Sequence, residues 1–155
     1  MLIIAIAACA AVWFIRIDST KSYYSPNAGT DSAAGAVTLS IRCDSVAGRA
    51  NDGTTPEDGV IMPPMVIPYA EGESVFDALT AAVRRASIQM EHTGAGELAY
   101  INGINNLYEF DYGELSGWLY SVNGEIHSTG CGSFLLRDGD EILWQYTTEL
   151  GEDLK

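Results

Sequence analysis

Positive charge is scarce in this chain of 155 residues. Lys and Arg number 8 against 21 Asp and Glu, which gives a net charge of −13 at pH 7. Such an acidic surface repels nucleic acid and anionic lipid headgroups, so neither is expected as a partner of the folded part. With 2 His and 3 Cys, none of them clustered, the sequence also lacks the ligand spacing of a structural zinc site. We therefore predict no metal site and no required cofactor.

Long hydrophobic runs are absent except at the N-terminus. Leu2–Ile15 carries no charge and is closed by Arg16, but a bilayer-spanning helix needs about 20 apolar residues. Residues 1–16 are therefore interpreted as a signal or membrane-anchor segment. Cys9 ends a stretch typical of a lipoprotein cleavage box, and no basic residue precedes Leu2, so signal, anchor, lipoprotein and an upstream start all stay open. We expect an extracytoplasmic protein, secreted or tethered to the membrane through this segment.

Cysteine is equally rare in the rest of the chain, where Cys43 and Cys131 remain. Outside the cytosol two cysteines can form a disulfide, which would close a long loop and stabilise the fold by about 2–4 kcal/mol. The sequence does not show whether their Cα atoms are close enough. A Cys43–Cys131 disulfide and two buried free thiols therefore both stay open.

The composition changes along the chain. Residues 17–36 are rich in Ser, Thr, Gly and Ala and are predicted to form a flexible spacer. A domain is predicted over 37–151, opening with a half-buried strand at Val37–Cys43, where apolar and polar residues alternate. The Gly- and Asp-rich residues 46–59 indicate a surface loop. Residues 60–69 contain three prolines, so any strand there should be short or at a sheet edge.

A single helix is predicted over Val75–Met90. Ser74 is a good N-cap residue, and Asp77 three residues later fits a capping box. Gly94 and Gly96 are expected to end the element. One apolar stripe at helical spacing should pack on a sheet: Phe76, Leu79, Val83, Ala86 and Met90.

Short strands follow the helix. Asn123-Gly124 suits a type I′ turn and predicts a hairpin that pairs Trp118–Val122 with Glu125–His127. A tight turn at Arg137–Asp140 precedes a final strand at Glu141–Thr147. Shorter strands are expected at 98–101 and 107–110, joined by a Gly-Asn turn. The order predicts the α+β class, specifically a β-grasp-like mixed sheet with one helix packed across it.

The segment Tyr100–Gly124 is rich in aromatic residues and glycine but has no Lys, Arg, His or Cys. This composition suits gripping a flat apolar ligand better than proton transfer or nucleophilic attack. Trp118 and Tyr120 share one strand face, as do Trp144 and Tyr146. We reason that not all of these rings can point inward in so small a domain. The candidate ligand-binding residues are Tyr108, Tyr112, Gly117, Trp118 and Tyr120, of which Tyr108 and Tyr112 are expected to be the exposed ones.

Catalysis is not expected. His127 and Cys131 lie four residues apart in a strand-to-loop context, and the sequence supplies no obvious carboxylate to orient them as a nucleophile pair. No catalytic residue is therefore assigned, and the protein is predicted not to be an enzyme.

Four segments occur in an order that resembles the DUF4430 family, also described as the transcobalamin C-terminal-like domain. They are Glu71–Leu79, Tyr100–Ile104, Ser116–Gly124 and Asp138–Tyr146. The resemblance implies a β-grasp of the soluble-ligand-binding type, related to the small domain that closes over cobalamin in the animal B12 carriers. It also implies an exported or surface-anchored bacterial protein.

Two features depart from that pattern. The chain carries no α/α-barrel of the kind that faces the small domain in the animal carriers. Thr147-Thr148 stand where family members often have a cysteine, so the family's disulfide pattern does not carry over.

The expected function is thus an exported, membrane-tethered, non-catalytic binding module. A corrinoid such as cobalamin is the ligand suggested by the resemblance, and another small ligand fits the same residues. The alternative is a cell-surface domain that contacts another protein through a sheet edge or the aromatic loop.

Overall fold

The first strand, β1, follows from the alternation of apolar and polar residues after residue 36. In the computed structural model, which describes residues 33–50 and 53–154, β1 spans Gly35–Arg42 and buries Val37, Leu39 and Ile41. The strand thus begins two residues before the predicted domain start. The predicted signal or anchor segment and most of the predicted spacer lie outside the described residues. Within the described ranges, no helix has the length and apolar character needed to cross a membrane.

Seven further strands and one α-helix follow β1 in the described residues, all of them within Asp31–Lys155, one structural unit of the chain. In chain order they are β2 (Val60–Tyr69), α1 (Val75–Ala86), β3 (Met90–Thr93), β4 (Tyr100–Ile104), β5 (Leu107–Tyr108), β6 (Gly117–Val122), β7 (Glu125–Ile126) and β8 (Glu141–Thr147).

The main sheet has five strands in the order β2-β1-β8-β6-β7. The central pair, β1 and β8, is parallel, and the other neighbouring pairs are antiparallel. Helix α1 packs against β1 and β2. A hairpin, a crossing helix and a late strand returning parallel to the first are the arrangement of a β-grasp. The predicted α+β class and mixed sheet with one helix are confirmed, and a second sheet, β3-β4-β5, is added.

Helix α1 begins as predicted and ends earlier than predicted. The Ser74 hydroxyl accepts a hydrogen bond from the Asp77 amide, and the Asp77 carboxylate accepts one from the Ser74 amide, completing the capping box. The helix ends at Ala86 because Ser87 adopts a left-handed φ of 56°. The prediction that the helix continues to Met90 is therefore wrong, since Met90 opens β3.

The buried face of the helix also differs from the predicted stripe. Leu79 and Val83 are buried as expected, but Phe76 is only half-buried. The buried set is Val75, Ala78, Leu79, Ala82 and Val83, which still repeats at helical spacing.

Strand β2 lies at an edge of the sheet, as its three prolines require. It is nevertheless ten residues long. Its register with β1 shifts between Leu39, paired with Met65, and Ile41, paired with Met62, so that Pro63 and Pro64 fall in an irregularity of the ladder. A bulge places residues without an N–H where no ladder hydrogen bond is needed.

The loop before β2, predicted to lie on the surface, is partly buried. Val46 and Thr55 are almost completely buried, at 0% and 1% exposure. The Thr55 hydroxyl accepts a hydrogen bond from the Ala50 amide at 2.7 Å, which folds this loop back on itself.

Turn residues fix the later strands. Asn123 and Gly124 both have positive φ, as a type I′ turn requires, and they join β6 to β7 as predicted. Asn105 and Asn106 do the same between β4 and β5. The predicted Gly-Asn turn at this point is therefore an Asn-Asn turn, and Gly103 lies within β4.

Candidate ligand-binding site

Four aromatic side chains form the centre of the sheet's inner face. Trp118 of β6 pairs with Tyr146 of β8, and Tyr120 pairs with Trp144. The ring centroids lie 5.3 Å apart in the first pair and 5.4 Å apart in the second. All four are at most 9% exposed. The expectation that some of these rings point outward is therefore wrong.

The second sheet and a loop explain how so many rings can be buried. The Trp118 Nε1–H donates to the Leu107 carbonyl at 2.9 Å, and the Tyr146 hydroxyl donates to the Tyr108 carbonyl at 2.7 Å. The Tyr120 hydroxyl donates to the Thr129 carbonyl at 2.6 Å. Strand β5 and the segment 127–134, the cover loop, thus lie over the rings and satisfy their polar atoms.

The cover loop is anchored to the start of α1. The amides of Val75 and Phe76, which have no partner within the helix, donate to the carbonyls of Phe134 and Cys131 at 3.0 and 3.1 Å. At Gly132 the backbone passes so close that a Cβ would lie 1.8 Å from the Gly96 carbonyl oxygen. Only glycine permits this approach, and it brings residues 96–99 and the cover loop together as one wall.

A depression of about 250 Å³ opens between that wall and the sheet. We call it the aromatic depression. Trp118, Tyr120 and Trp144 line it together with Leu119 of β6. Residues at the start of β4 and in the cover loop complete it: Ala99, Tyr100, Ile101, His127, Ser128, Thr129, Gly130 and Cys131. His127 stacks on Tyr120 with the ring centroids 6.1 Å apart. The surface of the depression is more apolar than polar.

The hydroxyls of the depression stay protonated at physiological pH. Burial, with a smaller contribution from Cys131, raises the pKa of Tyr120 to about 12. A hydrogen bond to Glu109 at 2.6 Å, together with burial, raises the pKa of Tyr100 to about 12. The indole Nε1–H of Trp144 is buried and has no hydrogen-bond partner among the described residues. Neither tyrosine hydroxyl therefore carries a charge at that pH, and the Trp144 Nε1–H is an unused donor.

Both described cysteines are buried free thiols. Burial raises the pKa of Cys43 to about 11 and also raises the pKa of Cys131. The Cys131 thiol donates to the Ala99 carbonyl at 3.5 Å. Of the two interpretations left open by the sequence, free thiols are the one observed, and the Cys43–Cys131 disulfide is not formed. A thiol with a raised pKa is a poor nucleophile at neutral pH.

The predicted ligand-binding residues separate into three groups. Trp118 and Tyr120 line the aromatic depression, whereas Gly117 lines a neighbouring groove. Tyr108 and Tyr112 line neither, and they are half-buried rather than exposed.

Two packing contacts explain this correction. The Tyr108 ring covers Gly103, where an added Cβ would lie 2.5 Å from it, and its hydroxyl accepts a hydrogen bond from Gln89 at 3.0 Å. The Tyr112 ring meets Tyr146 edge-on at 6.1 Å.

Sequence reasoning missed part of the depression. Trp144 was recognised as the partner of Tyr146, but its position opposite Tyr120 depends on the register of β6 with β8. The sequence did not predict His127 and Cys131 as ligand-binding residues, and both are wall residues of the depression. Among the described residues, no group of His, Cys, Asp or Glu is arranged to hold a metal ion.

Comparison with known proteins identifies the family and the fold. The profile of DUF4430, a domain of unknown function, matches residues 72–148. No match to a curated protein was found. The crystal structure of haptocorrin in complex with Cbi is similar, with a TM-score of 0.51 and 19% sequence identity over 75% of this chain. That match covers 25% of haptocorrin, so this chain spans about a quarter of its length.

A second similar structure is the crystal structure of a proposed metal-binding protein from Ruminococcus gnavus ATCC 29149. Its TM-score is 0.45 and its sequence identity is 11%, over 73% of this chain and 96% of that one. The haptocorrin fold agrees with the transcobalamin C-terminal-like assignment. Residues 72–148 of this chain thus belong to the DUF4430 family.

Proposed function

We propose that this protein is a non-catalytic binding module whose aromatic depression receives one side of a flat, largely apolar ligand. One observation carries the proposal: three buried aromatic side chains, Trp118, Tyr120 and Trp144, open into a single depression. Rigid aromatic walls bury a large area while few rotatable bonds are lost.

The ligand class that we propose is a corrinoid. The fold is shared with haptocorrin, which was solved in complex with Cbi, and flat macrocycles suit aromatic walls. The Trp144 Nε1–H is a donor for a carbonyl on the edge of such a ligand, and because it is buried, a small rearrangement must first expose it.

The size of the depression sets the affinity to be expected. Pockets that enclose drug-sized ligands measure roughly 300–1,000 Å³, whereas this one measures about 250 Å³. It would therefore cover one side of a corrinoid and leave the other side in water. We expect modest affinity for the isolated chain, and tighter binding where a second protein closes over the exposed side.

The proposed setting is outside the cytoplasm, with the domain tethered to a membrane or secreted. The support is the uncharged segment Leu2–Ile15 followed by a Ser- and Gly-rich stretch. An acidic domain would be held off an anionic membrane surface by such a spacer.

Titration of the full chain with cobalamin and with cobinamide, followed by visible absorbance and calorimetry, tests the proposal. We expect saturable binding, weakened several-fold by His127→Ala, which removes a wall of the depression. His92→Ala is the matched control, because His92 lies on β3 and contacts Phe76 instead. Absence of binding at roughly 1 mM corrinoid, which means a binding free energy weaker than about 4 kcal/mol, would rule out the corrinoid as the ligand of this chain. Equal loss in both variants would place the site elsewhere.

A further inference from the structure

A second concave surface, beside the aromatic depression, combines exposed apolar side chains with carboxylates. This groove measures about 150 Å³, and its lining includes Tyr100, Glu109, Phe110, Glu114, Leu115 and Leu150. Phe110, Leu115 and Leu150 are 63%, 51% and 68% exposed. Exposed apolar residues scattered singly are ordinary, but three around one groove mark an interaction surface.

Backbone strain points to the same groove. Phe110 has a φ of 69° and Leu150 a φ of 52°. The other non-glycine residues at positive φ in the described ranges are three Asn, a type that tolerates this conformation, and Ser87, which ends α1. A bulky residue at positive φ costs free energy, and neither side chain recovers that cost by being buried within this chain. Both strained residues line the one groove.

Backbone hydrogen bonds hold these two residues in place. The Phe110 amide donates to the Ser116 carbonyl at 3.1 Å, and the Leu150 amide donates to the Leu115 carbonyl at 3.1 Å. The groove is therefore formed before any partner arrives, which lowers the entropic cost of binding.

The charge of the groove is negative and uncompensated. The Glu109 carboxylate is oriented by the Tyr100 hydroxyl at 2.6 Å and the Asn102 amide at 3.0 Å. Glu114 is exposed. Within the part of the chain that the structure describes, the observed salt bridge joins Arg42 to Asp44, so neither groove carboxylate is paired with a cation. A second copy of this chain, with a net charge of −13, would add repulsion.

We propose that this groove binds a segment of another protein that presents Lys or Arg between apolar side chains. The apolar side chains would cover Phe110 and Leu150, and the cation would meet Glu109 and Glu114. The exposed rings of Tyr100 and Phe110 favour a cation as well. The proposal does not depend on any ligand in the aromatic depression.

Two matched peptides provide the probe. Acetyl-Lys-Leu-Lys-Leu-Lys-amide and acetyl-Glu-Leu-Glu-Leu-Glu-amide share their apolar residues and differ in charge. Each is titrated into the full isotope-labelled chain and followed by NMR. We expect the Lys peptide to shift the resonances of Phe110, Glu114 and Leu150, with an affinity that falls as salt is raised. We expect no binding of the Glu peptide.

Variants separate the contribution of strain from that of charge. Phe110→Gly should leave the melting temperature unchanged or raise it, because glycine relieves the positive φ, and should weaken Lys-peptide binding at least about tenfold, as for an aromatic anchor. Glu114→Gln should weaken binding about two- to fivefold, the range of an exposed ion pair. Glu71→Gln makes the same charge change at an exposed site before α1 and should have no effect.

Four results would overturn the proposal: equal binding of both peptides, no binding of the Lys peptide at roughly 1 mM, a pronounced loss of stability in Phe110→Gly, or binding of acetyl-lysine-amide as tight as that of the peptide. The last result would assign the groove to small cations. Cobinamide titrated into the same samples is followed at the indole N–H of Trp144, which lines the aromatic depression but not the groove, so that failure at one site is distinguishable from failure at the other.

Discussion

At the scale of single residues, the polar atoms of the aromatic side chains decide the architecture of the site. The Tyr146 hydroxyl donates to the Tyr108 carbonyl at 2.7 Å and also lies 2.9 Å from the Ser116 Oγ. It therefore joins β8 to β5 and to the turn before β6. Burial is the main cause of a raised Tyr146 pKa, so the hydroxyl remains a donor at neutral pH.

Tyr146→Phe should lower the free energy of unfolding by about 1–3 kcal/mol, because it removes the hydrogen bonds that the buried hydroxyl makes to the Tyr108 carbonyl and to the Ser116 Oγ. Tyr100→Phe is the control: it also removes a hydroxyl, but from a side chain that is 53% exposed. We expect a much smaller loss there. Denaturant unfolding of both variants provides the measurement, and similar losses would contradict the assigned role of Tyr146.

The role of a single residue could be predicted from the sequence only where that role depends on its neighbours along the chain. The N-cap at Ser74 and the turn at Asn123-Gly124 depend on neighbouring residues, and both were predicted correctly. The burial of Tyr108 could not be predicted in this way, because it depends on Gly103 across a hairpin. For the same reason, only two of the five candidate site residues, Trp118 and Tyr120, line the aromatic depression.

At the scale of elements, α1 is held by its contact with the sheet. Leu79 is 0% exposed at the centre of the buried helix face. The end of the helix was misplaced because apolar residues continue at helical spacing to Met90, while the left-handed Ser87 breaks the helix first. Periodicity alone does not report such a stop.

Leu79→Ala should cost about 2–5 kcal/mol of unfolding free energy, the usual range for a buried leucine truncation. Arg84→Ala, on the exposed face of the same helix, should change it by less than about 0.5 kcal/mol. Thermal or denaturant unfolding measures both. A Leu79→Ala loss below about 0.5 kcal/mol would place that helix face in solvent.

The turn after β8 is held by Asp153, whose carboxylate accepts hydrogen bonds from the hydroxyls of Thr147 and Thr148 and from the Thr148 amide. Partial burial raises the pKa of Asp153, but these hydrogen bonds outweigh it and the pKa lies below its ordinary value of 3.8. The ionised carboxylate therefore stabilises the fold above that value, and the stabilisation is lost as pH falls through the lowered pKa.

Asp153→Asn should accordingly destabilise the chain most near pH 7 and progressively less below about pH 4. Unfolding of both proteins across pH 2–7 is the measurement, with Glu152→Gln, an exposed neighbour, as control. A difference that is independent of pH would show that the carboxylate charge does not hold this turn.

At the scale of the whole molecule, one long-range pairing defines the fold. The parallel pairing of β1 with β8 joins residue 38 to residue 141, a distance in sequence over which no local pattern gives information. The order of the segments and the resemblance to DUF4430 predicted the β-grasp. The second sheet was missed because β3 is short and exposed, so its residues show no alternation.

We also predict that a protease added outside intact cells removes the domain, because the proposed anchor and spacer place it beyond the membrane. Immunodetection of the domain before and after cell lysis is the measurement. Protection until the membrane is broken would place the domain in the cytosol.

The most direct test of the account is whether a corrinoid contacts the aromatic depression itself. In the full chain carrying Trp13→Phe, the two remaining tryptophans, Trp118 and Trp144, both line that depression. NMR of their indole N–H resonances during cobinamide titration should show saturable shifts of both. The dissociation constant from these shifts should equal the one measured by visible absorbance. Corrinoid binding that leaves both indole resonances unmoved would contradict the assignment of this depression as the ligand site.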